Sequence, residues 1–271
     1  MMVGREIVFR VQKKEAVPGK TILEVENLTV KNKLGIPLLK DVSFNLRAGE
    51  ILGIAGVSGN GQEALVSSLT GLGPAASGSI RLLGEDISTA DVRTRRQRLM
   101  AHVPEDRIKM GLNIDASVAE NAIMGFQWKK EFLKGPLLNN AVSSEFAKKI
   151  IAAYSVYGAA VDSPVSMLSG GNMQKIVLGR EAASEPVLLI VNQPTRGLDV
   201  GSIEFVHQML IDKRDRGMAI LLVSVELEEI ISLSDRVEVL YRGAFQGEFS
   251  GEAINENNIG LLMAVGKKSE T

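Results

Sequence analysis

The sequence predicts an α/β fold with a smaller helical block inserted into it. Three observations predict this. The apolar run at 51–55 ends at Gly56 and passes through GVSGNGQE (56–63) into helical spacing at 61–69, the strand, glycine turn and helix order of a phosphate-binding loop. Short apolar runs recur at 79–83, 99–103, 188–191, 220–223 and 237–241, as strands of a buried sheet do. Between 109 and 166 the pattern turns helical, most clearly at 144–154.

In chain order, residues 1–20 read as a polar, turn-prone connector containing Lys13, Lys14, Glu15, Pro18 and Gly19. Segments 21–28 and 42–46 alternate like half-buried strands. After Asp199 comes an amphipathic helix with Ile203, Val206, Leu210 and Ile211 on one face and Lys213, Arg214 and Arg216 at its end. The expected division is a connector at 1–20, an α/β core at 21–108 and 167–250, a helical subdomain at 109–166, and a C-terminal helix and tail at 251–271. MMVGR at 1–5 echoes MAVGK at 263–267. The echo reads either as chance or as the tail of a preceding homologous domain.

Composition excludes several classes. With 271 residues, 45% hydrophobic and 23% charged, the chain is ordinary for a globular protein of one large or two smaller domains. A net charge of −1 gives no global attraction to nucleic acid, and none is expected as a partner. The absence of cysteine removes disulfides and thiolate metal sites, and two histidines, His102 and His207, are too few for a histidine-built centre. No stretch approaches the ~18 consecutive apolar residues of a spanning helix. Arg93, Arg95, Arg96 and Arg98 read as a solvated helix face. Trp128 and Phe132 read either as packing residues or as contacts to a partner helix.

The ordered segments GVSGNGQE, VPEDR (103–107), LSGGNMQ (168–174), LLIVNQPTRGLD (188–199) and LLVSVELEEI (221–230) resemble the nucleotide-binding domain of ABC transporters. In detail they resemble the C-terminal ATPase half of tandem simple-sugar and nucleoside importers, over about residues 21–250. The resemblance implies an ABC-type P-loop NTPase core, RecA-like, with an N-terminal antiparallel β subdomain. It also implies ATP and Mg²⁺ as cofactors of the assembled transporter. The implied partners are an N-terminal ATPase domain, transmembrane permease subunits and, indirectly, a substrate-binding receptor. The implied place is the cytoplasmic face of the cell membrane, as a peripheral subunit.

Against that resemblance the charged residues are replaced. In the loop formed by Gly56, Ser58, Gly59, Asn60 and Gly61, the lysine and Ser/Thr positions hold Gln62 and Glu63. A charge pair at 4 Å and an effective dielectric near 20 amounts to about 4 kcal/mol, so the missing lysine is a large loss and Glu63 adds to it. The glycines either shape a turn only or still hold an anion weakly. Where the family carries Asp–Glu for metal and water, the chain has Asn192 and Gln193, which cannot act as carboxylate bases. Val225 stands at the switch histidine, Glu105 at a loop glutamine, and residues 27–39 offer no ring to stack on adenine.

The signature is intact. Ser169, Gly170 and Gly171 open a helix whose bare N–H groups form an anion site, with Leu168 and Gln174 flanking it. By resemblance these residues act in trans on ATP held by the partner domain. Glu105, Asp106 and Arg107 then form the coupling loop, and Gly197 and Asp199 the interface loop. The full subunit is expected to be an ATPase, with this half alone inactive or nearly so. An alternative reading is a non-catalytic adaptor between the ATPase pair and the membrane subunit. The stretch from Glu63 to Leu168 is too short for the coiled coil of a chromosome-type ATPase.

Overall fold

The computed structural model describes residues 13–73 and 77–267. Its strands are β1 (Thr21–Lys31), β2 (Pro37–Arg47), β3 (Ile51–Ala55), β4 (Ser77–Leu82), β5 (Glu85–Asp86), β6 (Met100–Val103), β7 (Leu133–Lys134), β8 (Leu137–Leu138), β9 (Leu188–Asn192), β10 (Ala219–Ser224), β11 (Arg236–Tyr241) and β12 (Ala244–Ser250). Its α-helices are α1 (Gln62–Thr70), α2 (Val92–Gln97), α3 (Val118–Ile123), α4 (Asn140–Ala153), α5 (Gly170–Ala183), α6 (Val200–Asp215), α7 (Leu227–Leu233) and α8 (Glu256–Val265).

Strands β3, β6, β9, β10 and β11 pair in parallel within a six-stranded sheet of order β12-β11-β3-β10-β9-β6, with β12 antiparallel at its edge. All five residues of β3 and of β9 are buried, because helices or a second sheet cover both faces. Consecutive residues therefore enter different cores. Leu221 joins Leu23, Leu46 and Leu65 beneath the antiparallel sheet β2-β1-β4-β5, while Leu222 joins Ile176, Leu178 and Leu210 on the helical side.

The expected strands all form, most of them a residue or more longer than their apolar runs, since the ends carry polar residues that still pair. Strand β12, AFQGEFS, escaped sequence reading because its residues are only half-buried or exposed and form no apolar run. The stretch 109–166 is less helical than its pattern: it holds α3, α4 and the hairpin β7–β8, joined by short turns. Phe132 there is buried against Phe146 with ring centroids 5.3 Å apart, and Trp128 donates to Gly125 O at 3.0 Å beneath the Arg93 guanidinium.

The arginine run is not a solvated face. Arg95 is buried and donates to the Ser68, Leu69 and Ala90 carbonyls at the C-terminal end of α1 and beyond it. Arg96 pairs with the buried Glu181 at 3.1 Å, and Arg98 with Glu85 at 2.7 Å. Residues 13–20 of the expected connector lie against the core: Lys13 pairs with Asp235 at 3.5 Å, Arg214 donates to Lys14 O at 3.0 Å, and Gly19 N–H donates to Ala48 O at 2.8 Å. Residues 1–5 of the echo lie outside the described residues; its second copy falls at the end of α8. Among the described residues, no helix is long and apolar enough to cross a membrane.

Candidate functional site

Parallel strands place their following loops along one edge of the sheet, where α/β folds bind ligands. Here the ends of β3, β9 and β10 deliver the loop 56–63, the pair Asn192–Gln193 and the segment Ser224–Val225 to that edge. A cavity of about 930 Å³ opens there, lined by Ser58, Gly59, Asn60, Gly61, Gln62, Glu63, Glu105, Gln193 and Val225. The replaced positions 62, 63, 105, 193 and 225, far apart in sequence, thus meet around one space. Asn192 lies behind it, 6% exposed, with no partner for Oδ1 among the described residues.

The loop is satisfied from within. Gln62 is only 7% exposed. Its Oε1 accepts from Asn60 N–H at 3.1 Å and its Nε2 donates to Val57 O at 3.0 Å. Asn60 is held in turn by the turn joining β11 to β12: its Oδ1 accepts from Arg242 N–H at 2.8 Å and its carbonyl from Gly243 N–H at 2.9 Å. Helix α1 has no side-chain cap, and Glu63 sits exposed in its first turn. Sequence reasoning missed the cations of this cavity: Lys31, Lys33 and Lys40 from the β1–β2 hairpin, and Arg242. They were invisible because strand pairing, not spacing, brings them together.

A magnesium triphosphate seated in this loop needs free loop amides, a cation at position 62 and oxygen donors for the metal. The loop offers an amide already bonded to Gln62, a carboxamide in place of the cation, and carboxamides at 192 and 193. It also places a negative charge, Glu63, beside the place of the phosphates, and a second carboxylate, Glu105, is already paired with Arg196. No aromatic side chain lines the cavity; Phe44 points into the core, edge-on to Phe245. The residues present do not fit that group.

The signature segment is built differently. Ser169 caps α5, its Oγ accepting from Asn172 N–H at 3.4 Å and from Asn172 Nδ2 at 3.0 Å. Ser169 is exposed and Gly170 half-buried, whereas Leu168, Gly171 and Gln174 are buried within the chain. The structure therefore separates the five signature residues: two at the surface, three that brace them. Gln174 Nε2 donates to Pro194 O at 2.8 Å. Gly171 packs so closely on the start of α6 that a Cβ there would land on Ser202 Oγ.

The loops expected to serve as interface and coupling loops, at 196–199 and 105–111, meet close to the signature turn. Asp199 caps α6, accepting from Ser202 N–H at 3.0 Å and Ser202 Oγ at 2.8 Å, and these bonds hold its carboxyl below the usual range. Gly197 turns at positive φ beside it. Asp106 caps the turn Arg107–Gly111 by accepting from Lys109 N–H at 3.0 Å and Ile108 N–H at 3.1 Å, which also depresses its pKa. Arg107 Nη1 donates to Arg196 O at 2.9 Å, Arg196 pairs with Glu105, and the Arg107 guanidinium lies over Gly170. One arginine of the 105–111 turn thus bonds the loop at 196 and lies against Gly170.

Beneath this junction, Glu229 is buried and accepts from Thr195 Oγ1 at 2.7 Å, with His207 Nε2 at 3.2 Å. His207 is a packing residue within that network, and His102 is half-buried, its imidazole pushed down to about 4 by burial. Leu72 and Met110, both exposed, line one small cavity beside Arg95 and His102, and Ile108 is exposed on the same turn as Met110.

The fold and this arrangement of loops define an ATP-binding cassette. Over 92% of this chain it superposes on the whole of a nucleotide-free ATP-binding cassette from an ABC transporter, with a TM-score of 0.76 at 20% identity. A family profile described as ABC transporter matches residues 39–196, and the chain belongs to that family. It is 42% identical over 270 residues to the guanosine import ATP-binding protein NupO of Bacillus subtilis, covering 100% of this chain and 53% of that protein. It is 39% identical over 268 residues to a glucose import ATP-binding protein of Haloferax volcanii, covering 98% of this chain and 49% of that one. The chain spans about half the length of these curated relatives.

Proposed function

We propose that this chain is one half of a tandem ATP-binding subunit of a sugar or nucleoside importer, and that it works as a lid. In this reading Ser169 and the N–H groups that open α5 close over the γ-phosphate of ATP held by a partner cassette, while the chain's own cavity hydrolyses nothing. The observation that carries the reading is the contrast at the sheet edge: Gln62 bonded into its own loop, Asn192 and Gln193 in place of acids, and Ser169 exposed and capped. Relatives named for nucleoside and sugar import, each about twice the length, support both the substrate class and the tandem arrangement.

Gln193, at the place of the family's carboxylate, cannot take a proton from an attacking water. Of the carboxylates lining the cavity, Glu105 is paired with Arg196 while Glu63 stands at the start of α1 in the loop itself. What the chain supplies is position. Gln174 and Gly171 fix the turn from behind, so the donors at Ser169 and Gly170 need no reorganisation when an anion arrives. A permease subunit is the partner proposed for the exposed Leu72, Ile108 and Met110, on the cytoplasmic face of the membrane.

The test is Ser169→Arg and Gly170→Val in the polypeptide that carries this chain beside a second cassette. At both positions the new side chain meets solvent or the movable end of Arg107 rather than core. ATPase turnover is expected to fall about a hundredfold or more. Unchanged turnover would leave the adaptor reading, in which the chain holds the permease without joining ATP closure. Submicromolar binding of Mg-ATP to this chain alone, read by calorimetry, would overturn the inactive cavity.

A further inference from the structure

We infer that Gln62 is the specificity-determining residue of the loop 56–63: its carboxamide occupies the seat of a phosphate group, and the loop rejects phosphate anions for that reason as well as for its missing cation. The inference rests on the reading that this cavity does not seat Mg-ATP tightly, and it goes on to name the atom responsible.

A loop of this kind holds an anion by pointing backbone N–H groups at its oxygens. In this chain one such donor, Asn60 N–H, already has an oxygen: Gln62 Oε1 at 3.1 Å. The other end of the same carboxamide reaches across the loop to Val57 O at 3.0 Å. A single uncharged side chain thus staples both arms, supplying an acceptor where a phosphate oxygen would accept. Gly56 makes room for it, since a Cβ there would stand 2.7 Å from Gln62 Nε2. The staple is buried, so an entering anion must take Asn60 N–H away from it and leave both ends of the carboxamide without partners.

The surroundings would otherwise favour an anion. Lys31, Lys33, Lys40 and Arg242 line the cavity; of its two carboxylates, Glu105 is already paired with Arg196, which leaves Glu63. Field and fold invite a phosphate, and one side chain fills the place.

The experiment is calorimetric titration of the whole chain with sodium pyrophosphate in EDTA, comparing wild type with Gln62→Ala and with Gln62→Met. Methionine keeps the bulk, accepts from Asn60 N–H only weakly through its thioether, and cannot donate to Val57 O. Both variants are expected to bind pyrophosphate at least about tenfold more tightly than wild type, or about 1.4 kcal/mol. A folded variant that binds no better than wild type overturns the inference. Amide hydrogen exchange on the wild-type chain tests it without mutation: Asn60 N–H is expected to be protected in the absence of any anion, and exchange at the rate of an open loop amide also overturns it. The outcomes stay separate from those above. Tight Mg-ATP binding by wild type breaks the lid reading, whereas equal affinity of wild type and variants breaks only this one.

Discussion

At the phosphate loop the hydrogen bonds stay inside, with Asn60 N–H donating to Gln62 Oε1 and Gln62 Nε2 donating to Val57 O, while Arg242 and Gly243 N–H donate to Asn60 from the neighbouring turn. At the signature turn they run backward, from Gln174 to Pro194 and from Arg107 to Arg196, and leave Ser169 exposed. Both segments are glycine-rich strand or turn-to-helix junctions. The difference lies in where the side chains go: Gln62 turns back across its own loop and is buried there, whereas Gln174 reaches away from the signature to Pro194 and leaves the capping Ser169 at the surface. An anion site stays open when its bracing comes from the far side and closes when the brace sits in the seat.

The largest effect is expected where the support is tightest. Gly171→Val drives a branched side chain into Ser202 and should destabilise the chain by about 3 kcal/mol or prevent folding, read by urea denaturation. The same substitution at exposed Gly201, which has no positive φ and whose Cβ would meet only Asp199 Oδ1 at 3.5 Å, should cost much less; equal losses would show that the Gly171 contact with Ser202 is not the tight one. Next comes Gln174→Leu, which leaves the Pro194 carbonyl without its buried donor and should cost about 1–3 kcal/mol in the same measurement.

The hairpin that clamps Asn60 adds a pH dependence. Burial, followed by the negative charge of Glu248 directly across from it, pushes the Glu238 carboxyl up from 4.5 to about 7. A carboxyl raised in the folded state binds more protons folded than unfolded between those two values. Stability is therefore expected to fall as pH rises through that window, with the loss complete above about 7. Denaturation curves at pH 5.5 and 8.5 should differ for wild type and converge for Glu238→Gln, which keeps a donor to Glu248 without a charge. The smallest effect belongs to Glu63→Gln: exposed at the helix start, it should tighten pyrophosphate binding by less than about tenfold, below the gain from Gln62→Ala.

The α/β architecture was legible because buried parallel strands need uninterrupted apolar runs, and β3, β9 and β10 have them. Strand β12 was not, because an edge strand that is half-exposed carries no such run. At the site, the replacements at 62, 63, 192, 193 and 225 were readable as residue types. Where their side chains point was not: nothing in the order of letters says that Gln62 bonds its own loop. Likewise LSGG reads as one motif, yet Leu168 and Gly171 face the core and Ser169 faces out, a division made by α6 packing against it. Arg95 shows the reverse error, since a charged run looks solvated until the carbonyls it caps are in place.

The guanidinium of Arg107 spans the gap between the turn at 105–111 and Gly170, and also grips Arg196 O. A displacement applied to that turn would reach the signature within the length of one side chain, with no repacking of the sheet. One extended side chain thus stands in touch with three separate stretches of backbone, and shortening it by Arg107→Ala would part all three at once.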